Sequence, residues 1–188
     1  PDGTLVTRSS TGGVWAGHQR LAALFDWPPS KVRILSSYVG GSFGSKGTNS
    51  QIEPIIVLLA IKTGRPVRLA LTREEHFVDG RHRSGFVIYI KDGANRDGRL
   101  LAREMKVFLD IGRHTDSAAV VIRNSAFGTV GTYNISNFRL DNYGVYTNNP
   151  LTSPYRGLGT PEMTWAMEQQ MDILARKVNV RLEDDRIL

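Results

Sequence analysis

Apolar positions change their period several times along the chain, and each change marks an element. Residues 4–10 alternate as a strand does. Residues 16–27 set apolar side chains at helical spacing until Pro28 and Pro29 stop them. Residues 31–37 alternate again and run into a glycine-rich turn, Gly40-Gly41-Ser42-Phe43-Gly44-Ser45-Lys46-Gly47. A strongly apolar helix is predicted over 51–62, closed by Gly64 in the left-handed conformation, followed by a strand over 66–71. Thr72 then caps a short helix beginning Arg73-Glu74-Glu75. Residues 85–91 and 100–110 are β-rich alternating runs joined by 92–99, which holds Asn95-Arg96-Asp97-Gly98, and predict a long hairpin. Residues 117–130 read as partly helical and 137–147 as a strand. Pro161 opens the clearest helix, 162–179, with Met163, Trp165, Ala166, Gln169, Met171, Leu174, Ala175 and Val178 along one side. Strands and helices mixed with a long antiparallel hairpin predict an α+β fold, a mixed sheet with packed helices, and not a doubly wound sheet.

Composition narrows the chemistry. At 188 residues and 40% hydrophobic content the chain can bury a core. Its longest apolar run, residues 55–61, falls far short of the ~20 residues of a membrane helix. The chain shows no basic-then-apolar leader, so a soluble cytoplasmic protein without membrane contact is expected. Cysteine is absent, which removes disulfides, zinc–thiolate and iron–sulfur ligation and thiol nucleophiles from the chain itself. The net charge of +6 calls for an acidic partner. The basic residues are scattered and no aromatic–basic motif interrupts them, so nucleic acid is not that partner, whereas an anionic cofactor or an acidic subunit suits. Both ends look cut, the first entering a strand from a short turn and the last stopping inside a helical pattern, as a fragment would.

The glycine-rich turn matches neither standard phosphate loop. A Walker A loop needs Gly-Lys-Ser/Thr, but Lys46 follows Ser45, and the dinucleotide pattern fails at Val39 and Ser42. Closely spaced glycines after a strand still let a backbone approach a ligand and aim N–H groups at an anion; an ordinary tight turn explains the same spacing. His18, His76, His82 and His114 are isolated, and no Ser-His-Asp or Gly-x-Ser-x-Gly arrangement is present. The third feature is Tyr155-Arg156-Gly157-Leu158-Gly159-Thr160-Pro161-Glu162, an arginine between glycine turns just before a helix start. That placement makes either an anion clamp or a loop arginine capping local carbonyls.

Taken together these stretches resemble the molybdenum-cofactor-binding large subunit of the xanthine oxidase family, which includes xanthine dehydrogenase, aldehyde oxidase, aza-heterocycle hydroxylases and aerobic-type carbon monoxide dehydrogenase. Val39 through Lys46 is similar to the family's Gly-Gly-Gly-Phe-Gly-Gly-Lys loop. Gly64-Arg65-Pro66-Val67-Arg68 with Arg73-Glu74-Glu75, then Gly80-Arg81-His82-Arg83, follow in register. Thr147-Asn148, the Tyr155–Glu162 stretch and the helix with Glu168, Met171, Asp172 and Ala175 complete it. The resemblance implies a molybdenum–pyranopterin cofactor (molybdopterin or its cytosine dinucleotide) and hydroxylation of an aldehyde or N-heterocycle with water-derived oxygen. It also implies iron–sulfur and FAD groups in partner domains or subunits, and an oligomer. By the same likeness Gly40, Gly41, Phe43, Gly44, Arg156 and Gly157 would bind the cofactor. Phe43 and Arg156 would meet the metal's oxygen ligands.

Departures from the family pattern fall at the positions that would select substrate. Gly47 stands where the purine-hydroxylating branch has Glu, Asn124 where it has Arg, and Leu158 where it has an aromatic residue, which speaks against xanthine. A family Gln near the metal's apical oxygen falls close to Thr11. Gly157 replaces the Cys of the copper-bridged carbon monoxide enzymes. The family's general-base Glu lies in a C-terminal half that this chain lacks, so residues 1–188 are expected to be the first part of the molybdopterin-binding region, with no catalytic residue of their own and inactive alone. A non-catalytic cofactor-binding or assembly module is the alternative.

Overall fold

The alternating runs at 4–10 and 31–37 become strands β1 (Leu5–Ser9) and β2 (Val32–Ser36), paired in parallel from Leu5↔Val32 to Ser9↔Ser36. A parallel pair needs a crossover, and helix α1 (Val14–Leu24) supplies it. In this computed structural model, which describes residues 3–47 and 51–179, the chain divides into two compact units, Pro1–Gly80 and Arg81–Leu188.

In the first unit Leu21 and Ala22 of α1 bury against Val32 and Ile34 of β2 and Val57 of helix α2 (Ile52–Thr63). Helix α1 stops before the expected boundary at Trp27. Asp26 takes a left-handed φ of 52°, which lets the Asp26 and Trp27 N–H groups turn back to the Ala23 and Ala22 carbonyls at 3.5 and 2.9 Å. That pair of bonds is a Schellman closure, formed ahead of the prolines. Gly64 caps α2 in the left-handed conformation as expected, at φ 63°. The strand expected over 66–71 does not form: the segment is irregular and largely exposed, and no neighbouring strand pairs with it among the described residues. Apolar alternation alone cannot make a strand without a ladder partner. Helix α3 (Arg73–Asp79) begins with a full capping box between Thr72 and Glu75.

The second unit holds the hairpin, strands β3 (Phe86–Ala94) and β4 (Leu100–Gly112) paired antiparallel from Phe86↔Leu109. Helix α4 (Ala118–Phe127) leads to β5 (Asn137–Tyr146), which pairs in parallel on the other side of β4. The sheet order β3-β4-β5 is the mixed sheet of the expected α+β fold. Alternate β4 residues, Met105, Val107, Leu109 and Ile111, are buried. Met105 and Val107 pack with Met163 of helix α5 (Thr160–Val178), and Leu109 and Ile111 with Ala118 and Val121 of α4. Arg103 sits in the same inward row, and its registered partner across the hairpin is Asp92. Both side chains have 0% exposure, joined by two bonds of 2.8 Å.

Candidate functional site

Two loops carry the residues that the sequence singles out, one in each unit. In the first unit both strand-to-helix connections leave the C-terminal ends of a parallel pair, the end at which open α/β arrangements bind ligands. The turn after β1 ties down the long loop after β2. Buried Thr11 donates its hydroxyl to the Gly47 carbonyl at 3.2 Å and accepts the Gly13 N–H at 3.1 Å, while the Gly12 N–H reaches the Lys46 carbonyl at 2.9 Å. Inside the loop the Ser45 N–H and hydroxyl both bond the Ser42 carbonyl at 2.9 Å, and the Lys46 ammonium donates to the Val39 carbonyl.

These bonds leave the N–H groups of Gly40, Gly41, Phe43 and Gly44 outside every hydrogen bond among the described residues. Gly41 (φ 98°) and Gly44 (φ 107°) flank Phe43, itself at φ 50°. The Phe43 ring is exposed and lies over Gly41, where a Cβ would come within 2.8 Å of a ring carbon. The left-handed φ is what favours glycine at 41, since the exposed ring can swing aside from an added Cβ.

In the second unit the chain enters α5 through three consecutive left-handed residues, Gly157 (φ 91°), Leu158 (φ 53°) and Gly159 (φ 92°). A Cβ at Gly159 would stand 3.1 Å from both the Ser125 side chain and the Val121 carbonyl of α4, so the loop is pressed onto that helix. The Leu158 N–H closes a turn to the Tyr155 carbonyl at 2.7 Å, and the Thr160 N–H bonds the Gly157 carbonyl at 3.0 Å. Arg83 reaches the loop from the segment before β3. It donates to the Arg156 carbonyl at 2.8 Å, forms an ion pair with Glu162, and stacks 4.5 Å above the centre of the Tyr155 ring. The exposed Arg156 guanidinium makes no hydrogen bond or ion pair among the described residues.

Asn124 comes to the same place. Its carbonyl faces the Thr160 hydroxyl at 3.4 Å, so Asn124, Arg156, Gly157 and Leu158 share one end of the second unit. Gly40, Gly41, Phe43, Gly44 and Gly47 share one loop of the first.

Two carboxylates brace the approach to the Arg156 loop. Asp110 accepts from the Gly112 N–H and the Thr147 hydroxyl, both at 2.7 Å, and from the Asn149 amide. Burial pulls its pKa up, but these donors together hold it below the usual carboxylate value. Asp116 behaves likewise: burial opposes its charge, while Ser117, the Arg81 guanidinium at 3.3 Å and Ser153 more than offset that. Through the bridge between His82 and Thr152, the segment 81–83 and the segment leading to Arg156 are held side by side.

Sequence reasoning did not find Arg83, Glu162 and Asp116 as parts of the site. Gly80-Arg81-His82-Arg83 was visible only as part of a resemblance, because the partners of Arg83 lie 73 and 79 residues away. The backbone adds a signal of its own. Five non-glycine residues have positive φ among the described residues, and three of these are Asp26, Asp116 and Asn179, types that adopt it readily. The other two are Phe43 and Leu158, one in each candidate loop. Backbone strain of this kind concentrates at ligand clamps.

The first unit's loop offers backbone N–H groups and the second unit's loop a backbone N–H and one guanidinium, and each by itself suits an anion rich in oxygen acceptors. The residues present thus fit the molybdenum–pyranopterin that the resemblance implies. Among the described residues no three His, Asp or Glu side chains gather as metal ligands, so the fit is to a group held through hydrogen bonds. No described helix is long and apolar enough to cross a membrane.

The family model of the molybdopterin cofactor-binding domain matches residues 1–187. A probable xanthine dehydrogenase subunit of Bacillus subtilis is 36% identical over 95% of this chain and 24% of its own length. The nicotinate dehydrogenase large molybdopterin subunit of Eubacterium barkeri is 33% identical over 100% of this chain and 44% of its own. The crystal structure of the aldehyde oxidoreductase from Desulfovibrio desulfuricans superposes with a TM-score of 0.89 at 26% identity, over 95% of this chain and 20% of that one. The chain therefore spans less than half the length of the relatives it matches. With its α+β fold, its two glycine loops and a family match along nearly its whole length, the chain belongs to the molybdopterin cofactor-binding domain family, whose cofactor is a molybdenum-bound pyranopterin.

Proposed function

We propose that the chain supplies one wall of the molybdenum cofactor site of a larger oxidoreductase that hydroxylates an aldehyde or N-heterocycle with water-derived oxygen. The observation that carries this reading is the pairing of strain with vacant donors. Phe43 and Leu158 hold left-handed conformations in glycine-rich loops, and the N–H groups of Gly40, Gly41, Phe43, Gly44 and Gly157 make no hydrogen bond among the described residues. When bound, the cofactor supplies the two-electron oxidation and the site at which oxygen passes to an electron-poor carbon.

The chain's own residues bind and orient. Gly40, Gly41 and Gly44 admit the ligand close to the backbone, and the Phe43 and Gly44 N–H groups would meet oxygen ligands of the metal. Arg156 would supply a forked positive donor and Gly157 close approach. Preorganised donors of this kind stabilise charge that develops on oxygen without reorganising during reaction. Gly47, Asn124 and Leu158 would face the substrate; small, neutral or aliphatic, they favour a substrate that needs neither a charged partner nor an aromatic sandwich.

The general base would come from the remaining half of the subunit, and electrons would leave through iron–sulfur and FAD groups of partner domains or subunits in a cytoplasmic oligomer. Elemental analysis of this chain alone and of the longer protein tests the reading. Stoichiometric molybdenum in the longer protein, reduced by Arg156→Ala, is the expected result. Molybdenum on the isolated chain without the rest would favour a stand-alone binding module, and none in either form would overturn the cofactor function.

A further inference from the structure

Arg83 makes three different contacts with one loop: a charge-assisted hydrogen bond to the Arg156 carbonyl, stacking on Tyr155, and the ion pair with Glu162 in the first turn of α5. Its own backbone is anchored beside the loop. The His82 N–H donates to the Leu151 carbonyl at 3.2 Å, and the Ser153 N–H to the His82 carbonyl at 2.9 Å. The guanidinium is thus presented from a fixed strand-like segment and not from a loose end.

Holding the Arg156 carbonyl has a directional consequence. In a trans peptide the C=O and the following N–H point in opposite directions. The chain has no cis peptide among the described residues. Arg83 holds the Arg156 carbonyl on its own side of the loop, so the Gly157 N–H is aimed away from Arg83, and it enters no hydrogen bond among the described residues. The Glu162 carboxylate balances the charge of Arg83, and its second oxygen, Oε2, is buried without a partner, so Glu162 relies on Arg83. The Arg156 guanidinium is left as the loop's own uncommitted cation.

We infer that Arg83 is a positioning residue, fixing the Arg156–Gly157 peptide so that the Gly157 N–H and the Arg156 guanidinium are presented together to an oxyanion. The identity of that anion as the molybdenum cofactor rests on the function proposed above; the positioning itself does not. A lysine at 83 would keep the charge for Glu162 but lose the planar fork that reaches carboxylate and carbonyl at once and stacks on the ring.

Hydrogen–deuterium exchange on the full-length protein, with and without cofactor, separates the two claims. The reporters are the Leu158 and Thr160 amides, whose turn bonds hold the loop closed. Arg83→Ala and Arg83→Lys should each speed their exchange about tenfold, the effect of losing a hydrogen bond to a charged group. Glu162→Gln, which keeps the carbonyl contact, should change it by a smaller factor. The Met105 and Val107 amides of β4 report whether a variant is still folded. Should Arg83→Ala fail that control, Arg83→Lys and Glu162→Gln carry the comparison.

Molybdenum content is the second readout, expected to fall in the order wild type, Arg83→Lys, Arg83→Ala. Unchanged loop exchange in folded Arg83 variants, or full rescue by lysine, would overturn the positioning role. Faster loop exchange in Arg83 variants of a protein whose wild type never holds molybdenum would keep Arg83 as the positioning residue and refute the cofactor reading alone.

Discussion

Removing the carboxylate of Asp92 should leave the most destabilising vacancy in the second unit. Arg103 and Asp92 have no exposed side-chain surface, and their two bonds are both 2.8 Å long. The other neighbours of the guanidinium are weak acceptors, the Thr129 carbonyl at 3.4 Å and the Met171 sulfur at 3.2 Å. Asp92→Ala removes two charge-assisted bonds, each worth about 1.5–3 kcal/mol, and strands a guanidinium that cannot lose its proton. A loss of about 3–5 kcal/mol is expected, a large share of the ~5–15 kcal/mol by which domains are stable. Replacing both partners by apolar side chains of similar size, Asp92→Leu with Arg103→Met, removes the charge as well as the bond. It should recover most of that loss or exceed wild type by up to about 4 kcal/mol. Urea unfolding followed by far-ultraviolet circular dichroism measures all three proteins. A loss below about 1 kcal/mol for Asp92→Ala would mean the pair behaves as a solvated surface contact, against its complete burial. A double variant no better than the single one would assign the loss to packing and not to the stranded charge.

The remaining expectations concern the Arg156 loop and its supports. Gly159→Ala should cost about 1–3 kcal/mol, because φ 92° is strained for any residue with a Cβ and that atom would crowd Ser125 and Val121; thermal unfolding against wild type measures it, and an unchanged midpoint would refute the geometry. Asp110 and Asp116 have folded pKa values below their unfolded ones, so their contribution is present above about pH 4 and drains away as pH falls through the folded values. The urea midpoint should hold from neutrality to about pH 5 and then drop, less steeply in Asp110→Asn. Tyr133 works in the opposite sense. Burial and its 2.8 Å bond to Glu168 push the phenol up to about 12, so its contribution is present below the ordinary value near 10 and is lost as pH rises beyond it. An ultraviolet-absorbance titration should lose its last-ionising phenol in Tyr133→Phe.

What the sequence determined by itself is what local chemistry decides. Amphipathic period located α5 and both arms of the hairpin to within a few residues, because burial of one face is written into spacing of 3.6 or 2, whereas α2 was legible as an apolar run closed by Gly64 and α4 only as a partly helical stretch. The Thr72–Glu75 capping box, Pro161 at the start of α5 and Gly64 after α2 are likewise contacts between near neighbours. The two glycine loops were legible as places where a backbone bends sharply and exposes its N–H groups.

Tertiary structure decided everything that depends on a distant partner. The segment 66–71 has the alternation of a strand but no ladder to join, and α1 ends at an Asp26 turn that the following prolines do not predict. Nothing in the sequence marks Arg103, and its register with Asp92 places both side chains inside. Arg83 is one of 24 basic residues in the sequence, and only the fold brings it onto Tyr155, Arg156 and Glu162. Conformational preference acts over a few bonds, so it can be read along the chain. Pairing of charges across some seventy or more residues is set by how sheet and helices pack, and no local pattern encodes it.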